Sequence, residues 1–155
     1  FWTITIEDKQ ETRITEGDYS LRGYNLSRDG TRVAYHKAPT PLLDDGDEAE
    51  VWVMDIDGKN RVQLTDNMIT EGGASLSPDN RQLLFTAGAN ADFETYYNRN
   101  LFLVAATGGK ARPLIPDFPY GIQRARWGQD ANTIYLLVNM GVHSEIMVVD
   151  VGKKT

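Results

Sequence analysis

Apolar and polar residues alternate in short runs along this chain, and turn residues separate the runs. In residues 51–59, VWVMDIDGK, apolar side chains fall on both faces of the first positions, and the run ends at Asp57-Gly58. Apolar residues on both faces are typical of a strand that is covered on both sides. Asp-Gly favours a two-residue hairpin turn because glycine accepts a positive φ. The pattern therefore predicts a β-hairpin whose returning strand is residues 61–65.

The same pattern recurs at a spacing of about 50 residues, which is the length of one repeated structural unit. Copies of the stretch at 51–59 occur at residues 1–9, 101–110 and, more loosely, 145–154. A second hairpin pattern lies upstream of the later copies and is repeated in residues 23–36, 73–86 and 125–138. Each unit therefore contains two hairpins, or four strands, which is the content of a β-propeller blade.

We therefore predict an all-β fold, a partial β-propeller of about three four-stranded antiparallel blades with truncated blades at both ends. The whole chain, 1–155, is interpreted as one such domain. Its predicted parts are the end of a blade (1–16), two blades (23–66 and 73–115) and an incomplete blade (122–155). Because both terminal units lack strands, we expect the chain to be a piece of a larger propeller.

Two pairs of motifs in this chain resemble those of known propellers. The first pair is LSRDGTRVAYH with VWVMDIDGKNRVQLT, and the second is LSPDNRQLLF with NRNLFLVAATGGKARPL. They resemble the WD40-type repeats of TolB-like propellers, and equally the propeller of the prolyl oligopeptidase (S9) family of serine peptidases. The matches cover most of residues 23–114. These motifs are specific for the architecture rather than for an activity.

The resemblance to the peptidases implies a parent hydrolase with a separate α/β-hydrolase domain, which carries the catalytic Ser, Asp and His outside this chain. The propeller would then be a non-catalytic lid and filter that admits short or unfolded peptides as substrates. The alternative is a TolB-like propeller that acts as a protein-binding module. A third class, propeller lyases that act on sugar acids, needs several histidines for metal, and this chain has two.

No catalytic residue is predicted within the chain. A nucleophile elbow needs Gly-x-Ser-x-Gly at a strand-to-helix turn. The nearest string, GASLS at residues 73–77, ends in Ser and lies in a predicted strand. Neither His36 nor His143 has a catalytic partner nearby in the sequence. No glycine-rich phosphate loop precedes a helix, and no cofactor is predicted.

Two long insertions separate the second and third strands of the complete blades, at residues 37–50 and 87–100. Loops of this length are often functional. The second insertion combines aromatic rings and charges that suit a peptide amine or a cationic side chain. Its candidate binding residues are Asp92, Phe93, Glu94, Tyr96, Tyr97 and Arg99. The competing interpretation is that the tyrosines pin the loop to the sheet and the arginine pairs locally.

The first insertion is acidic. Asp44, Asp45 and Asp47 are its candidate metal ligands. The run lacks the alternate ligand spacing and the sixth-position glycine of calcium loops. We therefore interpret it as a solvated acidic loop, and no metal site is predicted.

Charge and composition restrict the partners. Lys and Arg number 16 against 22 Asp and Glu, which gives a net charge of −6. This excess disfavours nucleic acid and anionic membrane surfaces as partners. No apolar run is long enough to span a bilayer, and no signal segment opens the chain. Cysteine is absent, so the sequence leaves a cytoplasmic or a periplasmic location open.

The predicted strand edges point to one further partner. Residues 146–151 would form a third strand without a fourth, and exposed strand edges recruit strands of other chains. Residues 12–15 of a second copy could supply the missing strand. We therefore expect a homodimer, in addition to the α/β-hydrolase domain of the same parent chain and a peptide substrate.

Overall fold

The computed structural model describes residues 1–153, whose regular structure is almost entirely β-strand. A short 3-10 helix covers Asp44–Glu48 within the first insertion. The strands are, in chain order, β1 Trp2–Ile4, β2 Glu11–Arg13, β3 Leu21–Leu26, β4 Arg32–Lys37, β5 Glu50–Asp55, β6 Val62–Gln63, β7 Glu71–Leu76, β8 Gln82–Ala89, β9 Thr95–Ala105, β10 Arg112–Pro113, β11 Gly121–Trp127, β12 Thr133–Asn139 and β13 Ser144–Asp150. The last blade was predicted to extend to residue 155, and residues 154 and 155 lie outside the described part of the chain.

The strands form four antiparallel sheets in which neighbours along the chain pair with each other. β1 and β2 form an N-terminal hairpin, β3–β6 the first blade, β7–β10 the second blade, and β11–β13 a three-stranded sheet. The predicted all-β class, with antiparallel four-stranded blades between shorter sheets, is confirmed. No helix within residues 1–153 is long and apolar enough to cross a membrane.

An aspartate stabilises the turn between the first two strands of each blade. In the first blade, Asp29 Oδ1 accepts hydrogen bonds from the Ser27 hydroxyl at 2.7 Å and from the Thr31 amide at 3.1 Å. In the second blade, the Ser77 hydroxyl donates to Asp79 Oδ1 at 2.6 Å. Because these donors favour the ionised carboxylate, the pKa of Asp29 lies well below its usual range. The repeated Ser-x-Asp motif therefore forms the same type of turn in both blades.

The apolar core lies between the sheets, because the second blade buries both of its faces. In β8, Leu83 and Phe85 pack toward the first blade, whereas Leu84 between them packs toward the three-stranded sheet. Successive side chains of a strand point to opposite faces, so a strand buried on both faces needs apolar residues at every position. Phe85 and Phe102 are fully buried, and their ring centroids lie 5.4 Å apart. This double burial explains the apolar runs in the sequence.

Side-chain hydrogen bonds tie the first strands of the three larger sheets to one another. Asn25 Nδ2 donates to the Ala74 carbonyl at 2.8 Å. The Trp127 indole N–H donates to the Ser75 carbonyl at 3.1 Å. β3, β7 and β11 therefore lie side by side, and they form the wall of a cleft between the sheets.

The second insertion is not a loop. β8 continues to Ala89, and the turn between β8 and β9 is confined to residues 90–94. The Asn100 side chain donates a hydrogen bond to the Ala89 carbonyl at 2.6 Å in a buried position. The prediction of a loop over residues 87–100 is wrong, because β8 and β9 stay paired as far as Ala89 and Thr95 and the Asn100 side chain supports this extension. A register irregularity between Ala87 and Ala89 accommodates the extra residues of β9.

Candidate functional site

A cleft of about 620 Å³ lies between the first strands of the three larger sheets. β3, β7 and β11 form its walls, together with Thr86 of β8 and Arg99 of β9. Arg28, Arg124 and Arg126 also line it, and none of its lining residues within 1–153 is an aspartate or a glutamate. The volume is in the range of ligand sites in proteins. The cleft is therefore a concave surface of mainly positive charge.

The four arginines of the cleft differ in how they are held. Arg28 donates two hydrogen bonds to Gln129, one of them to the backbone carbonyl at 2.7 Å. The side chains of Arg99, Arg124 and Arg126 are exposed, and within the described residues they form no ion pair. Three guanidinium groups are therefore available to a ligand, although the chain as a whole has a net charge of −6.

Backbone features bring these side chains together. A Cβ atom on Gly72 of β7 would lie 2.8 Å from an Nη atom of Arg99, so glycine leaves the room that the guanidinium occupies. Arg124 and Arg126 stand two positions apart on β11 and thus project from the same face of that strand. The second blade and the three-stranded sheet therefore contribute arginines to the lining of the same cleft.

The structure separates the six candidate residues of the second insertion. Phe93 folds back onto the core, where its ring centroid lies 4.6 Å from that of Phe102. Asp92 and Glu94 flank it on the turn, and their backbone amides each donate to Asn90 Oδ1 at 3.0 Å. Phe93 is therefore a packing residue of the turn, and the two carboxylates are carried on the outside of the turn.

The remaining candidates lie on β9. Tyr96 and Tyr97 pair with each other, with ring centroids 4.5 Å apart, and Tyr97 is 83% exposed. Arg99 lines the cleft. The structure thus divides the predicted set into a core aromatic, two turn carboxylates, a surface aromatic pair and a cleft arginine.

The acidic candidates of the first insertion lie in the 3-10 helix. Asp45 accepts a hydrogen bond from the Thr40 hydroxyl, and Asp44 and Asp47 are exposed to solvent. In the described part of the chain, no group of three or more His, Cys, Asp or Glu side chains is arranged to hold a metal ion.

Sequence reasoning did not identify a pair of partly buried glutamates between the first and second blades. Glu71 accepts hydrogen bonds from the Thr65 hydroxyl at 2.7 Å and from the Asn67 side-chain amide at 2.8 Å. Burial raises the pKa of Glu71 to about 7, and the neighbouring Glu50 adds to the effect. Burial also raises the pKa of Glu50. One signal was present in the repeat, since Glu71 stands where the preceding repeat has the apolar Leu21.

Ser75 and His36 lack the environment of a catalytic pair. Ser75 lies inside β7 rather than at a strand-to-helix turn. His36 is buried in β4, and its Nε2 accepts a hydrogen bond from the Ala74 amide at 3.4 Å. Burial, together with the positive charge of Arg99, lowers the pKa of His36 to about 4. At neutral pH the imidazole is therefore uncharged, and its acceptor nitrogen is engaged by the backbone.

Comparison with known proteins relates the chain to a peptidase. No protein-family model matches it. A curated relative, the uncharacterized peptidase YuxL of Bacillus subtilis strain 168, is 29% identical over 113 residues. The match covers 73% of this chain and 16% of YuxL, so the chain spans about a sixth of that relative.

Solved structures share the fold at low sequence identity. A prolyl endopeptidase structure has a TM-score of 0.66 at 16% identity, over 99% of this chain and 25% of the endopeptidase. A TolB protein from Agrobacterium tumefaciens has a TM-score of 0.61 at 18% identity, over 81% of this chain and 43% of TolB. An oligogalacturonate lyase in complex with manganese has a TM-score of 0.76 at 11% identity, over 99% of this chain and 46% of the lyase. The chain is therefore a set of β-propeller blades, and its predicted resemblance to the blades of TolB and the prolyl oligopeptidases is confirmed at the level of the fold.

Proposed function

We propose that this chain is part of the propeller of a peptidase similar to YuxL, in which it acts as a non-catalytic lid and filter for peptide substrates. The observation that carries the proposal is the 29% identity to that peptidase over 113 residues. The similarity of fold to a prolyl endopeptidase over 99% of the chain supports it.

The proposal assigns hydrolysis to another part of the protein. Ser75 is a mid-strand residue, and His36 is neutral and hydrogen-bonded to the backbone. Acyl transfer needs a nucleophile, a base that can take its proton and a group that orients the base. An α/β-hydrolase domain of the same parent chain would supply that Ser, His and Asp.

The size of the cleft fits the role of a filter. A space of about 620 Å³ is large enough for a few residues of an extended chain and too small for a folded domain. Exclusion of folded proteins is the property that a lid over a peptidase centre requires. The cleft wall would then contact the peptide before hydrolysis takes place elsewhere.

Hydrolysis assays test the non-catalytic assignment. We expect the purified chain to leave chromogenic peptidyl substrates uncleaved, and we expect the Ser75→Ala variant to give the same result. Turnover by the wild-type chain that disappears in Ser75→Ala would contradict the assignment. Thermal unfolding of both proteins is the control that each is folded during the assay.

The alternative function is that of a TolB-like propeller that binds proteins. The observation that favours it is the similarity to TolB from Agrobacterium tumefaciens over 81% of the chain. The coding sequence that encloses this chain separates the two functions. A Gly-x-Ser-x-Gly motif followed by Asp and His in an α/β pattern supports the peptidase, whereas further blades followed by a stop codon support the binding protein.

A further inference from the structure

The charge of the cleft is opposite to the charge of the chain. Arg28, Arg99, Arg124 and Arg126 line it without a lining carboxylate among residues 1–153, while the chain carries six more acidic than basic side chains. Like charges gathered in one concave surface repel each other, and low-dielectric walls focus their field. An anion that enters the cleft relieves this repulsion.

The arginines are placed so that a ligand can meet several of them at once. Arg124 and Arg126 project from the same face of β11, and Arg99 lies over Gly72 on the opposing strand β7. Arg28 is fixed at the turn end of the cleft by its two hydrogen bonds to Gln129. The positive charge therefore extends along the cleft rather than being confined to one point.

The rest of the wall is suited to an extended chain with carbon side chains. Leu26, Pro78 and Trp127 contribute apolar surface, and Asn25 and Gln123 contribute amide groups. Guanidinium groups bind carboxylates with two parallel hydrogen bonds, which fixes the orientation of the carboxylate as well as its position.

We infer that the cleft binds an acidic peptide segment, whose carboxylates pair with Arg99, Arg124 and Arg126 while its aliphatic carbons contact the apolar wall. Arg28 keeps its two hydrogen bonds to Gln129 when the peptide binds, and it holds the turn at that end of the cleft in place. The inference deepens the proposed function, on which it rests for the choice of a peptide as the ligand. The net charge of −6 opposes the approach of a long polyanion such as nucleic acid more strongly than that of a short peptide, which favours a short acidic segment as the ligand.

A titration of labelled peptides with the full chain tests this inference. Fluorescence anisotropy would be measured for hexaglutamate and for hexaglutamine of the same length. We expect hexaglutamate to bind and hexaglutamine to bind at least about tenfold more weakly, since charge-assisted hydrogen bonds are lost. The affinity for hexaglutamate is expected to fall as the salt concentration rises.

Matched variants locate the site. The double variant Arg124→Gln with Arg126→Gln is expected to weaken hexaglutamate binding by about tenfold or more. The control, Arg81→Gln with Arg112→Gln, removes the same charge from exposed positions outside the cleft and is expected to change the affinity by less than about twofold. The single variant Arg99→Gln tests the opposing wall and is expected to weaken binding. Thermal unfolding shows that each variant is folded.

Three outcomes would overturn the inference. The first is equal binding of hexaglutamate and hexaglutamine. The second is an equal loss of affinity in the cleft variant and in the control variant, which would indicate a non-specific charge effect. The third is tighter binding of an oligogalacturonate or an oligonucleotide of the same charge, which would make the ligand a sugar acid or a nucleic acid instead. The binding assay does not measure hydrolysis, so a lack of hexaglutamate binding would not contradict the peptidase assignment. Likewise, evidence against the peptidase assignment would not change the measured affinity.

Discussion

Glu71 is a carboxyl group that the fold removes from water where the first blade meets the second. Its two oxygens accept hydrogen bonds from Thr65 and Asn67, which replace part of the lost hydration. The same asparagine donates its backbone amide to Glu50 at 2.7 Å, so two carboxyl groups share one partner. A second carboxylate nearby disfavours ionisation of the first. The folded chain therefore binds a proton on Glu71 more readily than an exposed glutamate does.

Replacement of Glu71 by glutamine tests this protonation. The folded-state pKa of Glu71, about 7, lies above the ordinary value of 4.5. The contribution of Glu71 to the free energy of unfolding is therefore complete below pH 4.5 and is lost as pH rises through 7. Glu71→Gln keeps a neutral group at every pH. We expect the variant to match the wild type near pH 4 and to exceed its free energy of unfolding by about 1 to 3 kcal/mol at pH 8. Urea denaturation at each pH measures the difference.

The comparison between variants isolates Glu71 from other titrating groups. His36 acts in the opposite sense, because its pKa of about 4 lies below the ordinary value of 6.5, and its contribution is lost as pH falls. Since both proteins contain His36, its effect cancels in the difference. Glu48→Gln, at an exposed position of the 3-10 helix, is the matched control. A pH-independent difference between Glu71→Gln and the wild type would contradict the prediction.

At the scale of the element, the β8–β9 hairpin shows how a polar stretch can become regular structure. Its turn places Phe93 at a φ of 60°, in the left-handed region that is uncommon for residues other than glycine. The ring contacts Phe85 and Phe102 of the core, which compensates for the backbone conformation. One inward aromatic thus anchors a turn whose neighbouring residues are mostly polar.

Phe93→Ala tests the anchoring role of this ring. The variant retains the left-handed backbone and loses the packing, so the change in stability reports the ring contacts. Because the side chain is only partly buried, we expect a loss of about 2 kcal/mol in the free energy of unfolding. Tyr97→Ala, at an 83% exposed position on the same hairpin, is expected to change it by less than about 0.5 kcal/mol. Equal effects of both variants would show that Phe93 does not anchor the turn.

At the scale of the whole molecule, the three-stranded sheet has an open edge within the described residues. β13 pairs with β12 and has no second neighbour there. Unpaired backbone groups along such an edge form hydrogen bonds with strands of other chains. Ile146 and Val148 of β13 are 76% and 56% exposed, which adds apolar surface beside the edge.

We propose that two copies associate through this edge, with residues 12–15 of one copy beside β13 of the other. The double variant Ile146→Lys with Val148→Lys is expected to shift the chain toward the monomer, since charge beside an edge opposes strand pairing. Val149 is unsuitable for this test because it is buried in the core. Val142→Lys, at a turn position that is 99% exposed, is the control and should leave the dimer unchanged. Light scattering over a range of concentrations measures the molar mass, and a wild-type monomer at high concentration would refute the association.

The arrangement of strands and turns could be predicted from the residues because its causes are local and repeated. The Ser-x-Asp turns form between residues two positions apart, and the apolar runs match strands covered on both faces. A spacing of about 50 residues repeats these features, so each copy supports the interpretation of the others. The order of strands in each sheet follows, since consecutive strands joined by short turns pair with each other.

The composition of the cleft could not be predicted in this way. Arg28 follows β3, Arg99 lies on β9 and Arg126 lies on β11. They line one cleft because the first strands of the three larger sheets lie side by side. The aromatic and acidic residues that neighbour Arg99 in the sequence do not line the cleft with it. Phe93 packs on the core, and the tyrosines and the turn carboxylates lie on the surface. Residues that are close in the sequence determine the turns and the pairing of strands. The packing of one blade against the next determines which charged side chains line the same cleft.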